Sequence, residues 1–385
     1  MTAFQLSGRS QNVSKSFIRA MTDECNRVNG INMAQGLCDL PIPPSVLEGV
    51  REAMAAGHNQ YGSAKGLKAL REEIARDLER RHGDAPCPEQ EIVVSPGATG
   101  ALTVTARALL NPGDEVVLFE PMYGYHRATL EDLGCVLHAV RMDPPEWTID
   151  RAALEEAITE RTRAIVLSTP SNPSGKILGE SDLDLLADVA ERHDLILFSD
   201  EIYDHFVYDG KVHRPPRTHP GLRERTVTLG GFSKIFAITG WRIGYAVAPP
   251  EVAAAAAAFN DLIYVCPPTP LQHGVARGLA ELPPDFYQNV AREHQHKRDQ
   301  FCDALREAGL PPVVPEGAYY VMADISALPG ADDLEKVRGL LQRTGIAAVP
   351  GRAFYLNGGG ESLARFCFAK QPHVLQNACD LISQG

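Results

Sequence analysis

Seven short runs of mostly apolar residues alternate with helical stretches between residues 91 and 248, and this alternation constrains the fold most strongly. Several runs are apolar throughout, as strands covered on both faces must be. Strands separated by helices form βαβ crossovers, so the sequence predicts an α/β fold whose mostly parallel seven-stranded sheet is sandwiched by helices. The runs are EIVVS (91–95), EVVLF (115–119), CVLHAV (135–140), AIVLS (164–168), LILFS (195–199), TVTLG (226–230) and GYAVA (244–248).

The segments on either side of this core carry other patterns. Residues 45–81 and 250–310 show helical periodicity, and the tail contains strand-like AYYVMADI (318–325), IAAVP (346–350) and RFCFA (365–369). This tail predicts a second, smaller α+β domain. We therefore expect an N-terminal arm with part of the small domain over residues 1–35, a large domain over 36–285 and a small C-terminal domain over 286–385.

Composition limits the class of partner. The chain has 37 Lys and Arg against 49 Asp and Glu, a formal net charge of −12, which lacks the electrostatic footprint of a nucleic-acid binder. Its eight cysteines show no C-x-x-C spacing, which favours free thiols in a reducing compartment. Neither a signal-like N-terminus nor a run of 18 apolar residues is present. We expect a soluble, cytoplasmic protein that acts on small molecules, with no nucleic-acid or membrane partner.

The residues after each predicted strand are the candidates for chemistry, because ligands of open α/β sheets bind beyond the carboxyl ends of the strands. The turn Pro96–Gly100 follows the first run and opens a helix, so its free N–H groups could seat a phosphate. The dinucleotide fingerprint G-x-G-x-x-G is absent there, which disfavours a nicotinamide dehydrogenase. Taken alone, the turn favours an ordinary strand-to-helix connection over a phosphate site.

Further polar residues follow the later runs. Asn172 lies in TPSNPSG, and Asp200 and Glu201 follow LILFS; each alone could be a turn or cap residue. Lys234 follows TVTLG, with Arg242 eight residues later. A lone lysine is normally a solvated surface amine, but a desolvated lysine near a second cation has a lowered pKa and becomes an amine nucleophile.

These side chains together form one set of chemical parts. Pyridoxal phosphate needs an amine for its aldehyde, a carboxylate for its ring nitrogen, donors for its phenolic oxygen and a cradle for its phosphate. An amine, a carboxylate, a phenol, an amide, an arginine and a helix-opening turn all fall at predicted strand ends. The sequence therefore predicts pyridoxal 5′-phosphate as the cofactor and no metal.

Four strings carry a family resemblance: SNPSGKI (171–177), SDEIYDHFVYDG (199–210), GFSKIFAITGWRIGY (231–245) and RFCFAK (365–370). With them the chain resembles the class I/II aminotransferases, which are fold-type I pyridoxal-phosphate enzymes, from about Gly36 to Ala369. RFCFAK and the DEIY…VYDG stretch look most like the kynurenine/glutamine transaminase and methionine or aromatic aminotransferase branch.

The resemblance implies roles around the cofactor ring. Lys234 would bind the cofactor aldehyde and later move the proton of the substrate α-carbon. Asp200 would pair with the protonated ring nitrogen, Asn172 and Tyr203 would hydrogen-bond the phenolic oxygen, and Tyr123 would stack on the ring. Taken alone, Tyr123 would be a core tyrosine, which is the more common place for an aromatic side chain.

The resemblance also implies contacts to the phosphate and the substrate. The phosphate would be held by Ala98, Thr99, Ser233 and Arg242, and by Tyr61 from a neighbouring subunit, which makes the expected active unit a homodimer. The substrate α-carboxylate would be bound by Arg365, whose planar fork lysine cannot copy, beside Gly36 and Asn172.

Three positions depart from the family pattern. Gly231 stands where a serine usually precedes the lysine by three residues, so one phosphate hydroxyl is missing. Leu37-Cys38 replaces the common Phe-Pro. The second aromatic of the Pro-x-Tyr-x-x-Tyr stretch falls on His126, with Tyr125 one place early. We expect the last two changes to reshape the pocket for the substrate side chain.

The leading hypothesis is a ping-pong transaminase that moves an amino group from an L-amino acid to a 2-oxo acid. The segment DLIYVCPPTP (261–270) offers no second arginine for an acidic side chain, which favours an aromatic, methionine-like or other neutral donor. A β-lyase acting on cysteine conjugates shares the same first proton removal and stays an alternative. A non-catalytic cofactor-binding regulator is disfavoured by the short N-terminal segment and the acidic charge. The REHQHKR run (292–298) is expected to be a solvated helix face.

Overall fold

A computed structural model describes residues 16–384 together with Phe4, Ser7, Gly8 and Ser10; the rest of the predicted arm and residue 385 lie outside the described part. The strands are β1 (Ile31–Asn32), β2 (Ile92–Ser95), β3 (Glu115–Glu120), β4 (Val136–Arg141), β5 (Thr162–Ser168), β6 (Ile196–Asp200), β7 (Thr226–Gly231), β8 (Gly244–Val247), β9 (Pro312–Val313), β10 (Tyr320–Asp324), β11 (Ile346–Ala347), β12 (Val349–Pro350) and β13 (Leu363–Cys367).

The helices alternate with these strands in the first two thirds of the chain. They are α1 (Phe17–Arg27), α2 (Pro44–Ala55), α3 (Lys68–His82), α4 (Gly97–Leu109), α5 (Gly124–Leu133), α6 (Arg151–Glu156), α7 (Glu180–Arg192), α8 (Pro250–Tyr264), α9 (Thr269–Glu281), α10 (Pro284–Glu307), α11 (Asp333–Thr344) and α12 (Pro372–Gln384). Within the described residues, each helix is too short or too polar to cross a membrane.

The main sheet has seven strands in the order β2-β8-β7-β6-β5-β3-β4, so all seven predicted runs pair in one sheet. Every neighbouring pair is parallel except those made by β8, which runs antiparallel to β2 and to β7. The prediction of a mostly parallel sheet is confirmed. Because β8 is reversed, Arg242 reaches the carboxyl edge of the sheet from just before its strand rather than from just after it.

Both faces of this sheet are buried, which explains the uninterrupted apolar runs. Val116 and Leu118 of β3 pack into a core formed with α4 and α5, whereas Val117 and Phe119 point to the opposite core with α6 and α7. Successive side chains of a strand alternate between faces, so a strand covered on both sides has no polar face.

The C-terminal part forms a second, antiparallel sheet of order β12-β13-β10-β9, and β1 pairs with β11 in a small parallel sheet. Helix α10 packs against β9 and β10, and α11 packs against β12 and β13. The pairing of Ile31 with Ile346 ties the N-terminal segment to this C-terminal part. The domain boundaries at residues 35 and 285 stay predictions.

The pairing register of the parallel strands places their carboxyl ends side by side at one edge of the main sheet. Ser168 at the end of β5 pairs with Asp200 at the end of β6, which in turn pairs with Leu229 of β7. Gly244 pairs with Gly231 on one side and with Ser95 on the other. The turns that follow β2, β5, β6 and β7 therefore open at one edge.

Candidate active site

Asp200 ends β6 with its carboxylate buried at the sheet edge. His126, also buried and carried by α5, donates from Nε2 to Asp200 Oδ2 across 2.7 Å. The other carboxylate oxygen accepts the backbone N–H of Ile202 at 3.2 Å. A buried carboxylate is costly unless donors satisfy it, and these two contacts supply them while Asp200 still lines the cavity at this edge.

Lys234 follows β7 and extends its amine into the same cavity. Its Nζ lies 3.4 Å from the carbonyl oxygen of Gly36 and about 6 Å from the ring centres of Tyr203 and Tyr319. Burial lowers the pKa of Lys234 from 10.5 to about 8, and the positive charge of Arg242 acts in the same direction. A substantial fraction of this amine is therefore neutral near physiological pH.

The first turn of α4 and Arg242 form an anion cradle. The cap residue Pro96 makes no side-chain cap bond, so the first N–H groups of the helix remain available. A side chain at Gly97 would overlap the Arg242 guanidinium, and one at Gly244 would overlap the Gly97 backbone. Two glycines therefore allow the guanidinium to lie over a helix N-terminus, which is a favourable site for a phosphate.

Arg365 on β13 reaches across to the loop after β5. One terminal nitrogen donates to Asn172 Oδ1 at 2.8 Å and the other to the carbonyl of Ala34 at 2.5 Å. The guanidinium lies between two rings, 4.2 Å from the centre of Tyr320 and 5.0 Å from that of Phe354. Within the described chain it has no carboxylate partner within 4 Å, and its buried Nε has no hydrogen-bond acceptor. A buried cation in this state is suited to bind a carboxylate.

Tyr203 lies in the turn after Asp200, with its hydroxyl 2.9 Å from that of Tyr320. Both rings are buried, and Tyr319 packs edge-on against Tyr203 with ring centres 5.1 Å apart. Tyr319 and Tyr320 were not predicted as site residues, because the pattern of AYYVMADI indicates only a strand. The paired tyrosines at the entry to a strand were the available signal.

A single cavity brings most of the predicted residues together. Gly36 and Arg365 adjoin it through their bonds to Lys234 and Asn172. Tyr61 is not among the lining residues and is 84% exposed on the surface. The predicted residues that line the cavity are Ala98, Thr99, Tyr123, Asn172, Asp200, Tyr203, Ser233, Lys234 and Arg242.

The departures from the family pattern have structural consequences. The ring of His126 binds Asp200, and its effect on the substrate pocket stays a prediction. Cys38 is not among the residues that line the cavity; its Sγ lies 3.7 Å from His294 Nε2, and burial raises the pKa of its thiol to about 12. A Cβ on Gly231 would come within 3.0 Å of Ile202 Cδ1, so this backbone leaves little room for the usual serine.

The prediction of a solvated face over residues 292–298 is wrong in part. His294 is fully buried, its Nδ1 bonds the carbonyl of Val290 at 2.8 Å, and burial lowers the pKa of its imidazole to about 4. Lys297 and Arg298 are buried as well, each in an ion pair. Helix α10 packs this face against strands β9 and β10. The many charged residues in the run hid this burial in the sequence.

The class defined by this fold and cavity is the aminotransferase class I and II family, whose profile matches residues 28–382. The chain belongs to this family. It is 33% identical over 354 residues to the methionine aminotransferase of Escherichia coli K12, covering 92% of each chain. It is 33% identical to the aspartate aminotransferase of Pyrococcus abyssi, over 97% of this chain and 96% of that one.

Solved structures agree with the sequence relatives. A crystal structure of an Escherichia coli methionine aminotransferase superposes with a TM-score of 0.95 at 31% identity, covering 99% of this chain and 100% of the other. Members of the family are pyridoxal-phosphate enzymes that exchange amino groups between amino acids and 2-oxo acids. The predictions of family, fold type, cofactor and transamination are confirmed.

The residues of the cavity fit pyridoxal phosphate on their own chemistry. The amine of Lys234, the donor-satisfied carboxylate of Asp200 and the α4–Arg242 cradle match its aldehyde, ring nitrogen and phosphate. Arg242 itself has a left-handed backbone with φ of +57°, a conformation that costs a non-glycine residue about 1 kcal/mol or more. Such strain concentrates at ligand-binding positions.

Proposed function

We propose that this aminotransferase takes its amino group from amino acids with neutral, apolar or aromatic side chains. Relatives of equal identity act on methionine and on aspartate, so similarity alone does not decide between donors. Three cations in and beside the cavity bind groups other than a substrate side chain. Lys234 binds the cofactor aldehyde, Arg242 its phosphate and Arg365 the substrate α-carboxylate. No further cation lines the cavity within the described residues.

The surroundings of Arg365 support an apolar side chain on the substrate. Its guanidinium is bordered by the rings of Tyr320 and Phe354, and the ring of Tyr123 lines the cavity. Aromatic faces favour thioether and aromatic groups over carboxylates. An acidic side chain would have to leave water without gaining a counter-charge, which is costly.

The residues act on bound substrate as follows. When bound, pyridoxal phosphate supplies an aldehyde that reacts with amines and a ring that withdraws electrons from the substrate α-carbon. Arg365 would orient the substrate at its α-carboxylate, with the backbone of Gly36 beside that group. Lys234 would accept the substrate α-proton at its neutral Nζ and hold it there for the return step. Asp200, oriented by His126, holds a proton at the ring nitrogen.

The remaining predicted contacts complete the site. Asn172 and Tyr203 bind the phenolic oxygen of the cofactor, Tyr123 covers its ring, and Ala98, Thr99 and Ser233 bind its phosphate together with Arg242. Tyr61 reaches the phosphate of a second subunit, so the active unit is a homodimer. The 84% exposure of Tyr61 and the neighbouring exposed apolar residues Leu262 (78%) and Val265 (44%) support such an interface.

The observation that carries the proposal is the convergence of Lys234, Asp200 and Arg365 on one cavity, with the rings of Tyr123 and Tyr203 in its wall and those of Tyr320 and Phe354 beside Arg365. The test is a comparison of kcat/KM for methionine, phenylalanine, tyrosine, glutamine, aspartate and glutamate with saturating 2-oxo acid. We expect neutral donors to exceed aspartate by at least about tenfold. A preference for aspartate would contradict the proposal and would point to Arg19, whose Nε donates to the Tyr125 hydroxyl at 3.5 Å, as a second carboxylate partner.

A further inference from the structure

The hydroxyl of Tyr320 contacts the hydroxyl of Tyr203 at 2.9 Å, deep inside the site. Tyr320 begins β10, and its ring packs under the guanidinium of Arg365, 4.2 Å from Cζ to ring centre. A side chain on Gly36 would overlap the Tyr320 hydroxyl, so the glycine leaves the space that this group occupies. The three contacts fix the phenol between the substrate-carboxylate arginine and the tyrosine that faces the cofactor.

Each hydroxyl carries one proton, so the direction of this hydrogen bond matters. Burial raises the pKa of both tyrosines, but the positive charge of Arg365 opposes that shift at Tyr320, whose pKa rises to about 12. Burial also raises the pKa of Tyr203 well above its usual value of 10, although the charge of Arg365 lowers it. Tyr203 lines the cavity and Tyr320 does not, so donation from Tyr320 to the Tyr203 oxygen is the direction that leaves a proton for a ligand in the cavity.

A Tyr203 oxygen that accepts from Tyr320 has its own proton free for the cavity, which Tyr203 lines together with Asn172 and Lys234. The hydroxyl of the adjacent Tyr319 does not compete for this role, because it donates to the carbonyl of Gly36 at 3.2 Å. Chains of hydrogen bonds strengthen one another, by roughly 10–30% per bond. Donation from Tyr320 therefore makes Tyr203 a stronger donor.

We infer that Tyr320 is a positioning residue for the cofactor: it directs the Tyr203 proton to the cofactor phenolic oxygen and links that bond to the charge of Arg365. The inference rests on the proposed placement of the phenolic oxygen beside Tyr203. It assigns Tyr320 no contact with substrate or cofactor.

The consequence is a shift in the titration of the bound cofactor. Negative charge on the phenolic oxygen stabilises a proton on the nitrogen that joins the cofactor to Lys234. A strong donor to that oxygen withdraws the charge and lowers the pKa of the nitrogen. Removing the Tyr320 hydroxyl weakens the donor and raises that pKa. The titratable and charged groups facing this region are Cys38, Tyr123, Asp200, Arg242, Tyr319, Arg365 and Cys367, and all of them stay in place in the variant.

The experiment is a pH titration of the visible spectrum of the holoenzyme in wild type and Tyr320→Phe. We expect the midpoint of Tyr320→Phe to lie about 0.3–1 unit higher, with cofactor occupancy unchanged. Tyr208→Phe is the matched control, because it removes an equally buried hydroxyl that bonds the carbonyl of Ala318, away from Tyr203. An unchanged or lowered midpoint in Tyr320→Phe, or an equal shift in Tyr208→Phe, would overturn the inference.

A double variant separates positioning from general disturbance. Tyr203→Phe alone should raise the midpoint more than Tyr320→Phe, and adding Tyr320→Phe to it should change nothing further, because the effect passes through Tyr203. Additive shifts would overturn the inference. Failure of the proposed function has a different signature: the wild-type holoenzyme itself would lack a visible band that depends on Lys234.

The link to Arg365 gives a second readout. An unreactive carboxylate such as 3-phenylpropionate should neutralise the charge over the Tyr320 ring and raise the wild-type midpoint. In Tyr320→Phe the same ligand should produce a smaller rise, since the direct effect of the ligand charge and the path through Asn172 remain while the path through Tyr320 is lost. An undiminished rise would contradict the coupling, even if the first shift were found.

Discussion

His126 donates from Nε2 to Oδ2 of Asp200 across 2.7 Å, with both side chains buried. Strand β6 delivers the carboxylate to the sheet edge and helix α5 delivers the imidazole, so two separate elements meet at this bond. A carboxylate fixed in this way keeps one orientation toward the cavity. That orientation is what an electron-withdrawing cofactor ring requires from its counter-ion.

Removal of the imidazole should therefore impair turnover more than cofactor binding. Hydrogen bonds to charged groups contribute about 1.5–3 kcal/mol, so His126→Phe should lower kcat by roughly 10- to 100-fold. His126→Gln retains a donor and serves as the control, with a smaller loss. Steady-state kinetics on holoenzymes of equal cofactor content provide the measurement. A wild-type kcat in His126→Phe would mean that the bond is dispensable.

Cofactor capture by the cofactor-free protein should follow the neutral fraction of Lys234. With a pKa of about 8, that fraction rises about fivefold from pH 7 to 8 and less than twofold from 8 to 9. Stopped-flow absorbance measures the rate of cofactor capture. Nα-acetyl-lysine, whose ε-amine is free, is the control for titration of the cofactor itself. A rate that kept rising about tenfold per unit through pH 9 would indicate an ordinary lysine pKa.

The lowered pKa of Lys234 also makes the stability of the cofactor-free protein depend on pH. The folded cofactor-free protein binds fewer protons at Lys234 than the unfolded chain does between pH 8 and 10.5. The free energy of unfolding therefore increases as pH rises through that window. Below pH 8 the lysine is charged in both states, and the full cost of burying its charge lowers the stability. Lys234→Met should stabilise the cofactor-free protein at pH 7, and by less at pH 10, in denaturant titrations. An equal effect at both pH values would contradict this.

Arg365→Lys should weaken amino-acid binding while leaving the cofactor in place. A lysine cannot keep the bonds to Asn172 and Ala34 and also offer a planar fork to a carboxylate. We expect KM to rise about 10- to 100-fold, as the loss of a bidentate charged pair implies. Arg338→Lys, which alters an exposed pair with Glu24, is the control. An unchanged KM would place the carboxylate site elsewhere.

The predicted contribution of Tyr61 to a second subunit can be tested by complementation. Mixed dimers of Tyr61→Ala and Lys234→Ala contain one site in which both wild-type residues meet, provided that Tyr61 crosses the interface. Refolding the two inactive or weakened proteins together should then restore activity to about a quarter of the wild-type level, given random pairing of subunits. No gain over the separate variants would confine Tyr61 to its own subunit or exclude a dimer.

The regular part of the fold could be predicted because strands buried on both faces leave an apolar signature. The seven runs became β2 to β8 in one sheet. Strand direction could not be read in the same way: β8 is antiparallel, and an apolar run looks identical in either direction. Tertiary pairing alone decided its orientation.

The site was predictable to the extent that its residues lie in turns directly after strands. Lys234, Asp200 and Asn172 could be named because strand ends share one edge. The roles of Tyr320 and His126 could not be predicted, since they come from contacts between distant segments rather than from local sequence pattern. The charged run around His294 misled for a related reason, because charged side chains can be buried once each has a partner.

The central claim is that Lys234 and this cavity hold a cofactor that exchanges amino groups with an amino acid. The most direct measurement is the visible spectrum of the purified protein with pyridoxal phosphate, before and after methionine and then a 2-oxo acid. We predict a long-wavelength band that methionine bleaches and the 2-oxo acid restores, with no such cycle in Lys234→Ala. A band that no amino acid in the panel bleaches, or a full cycle in Lys234→Ala, would contradict the account.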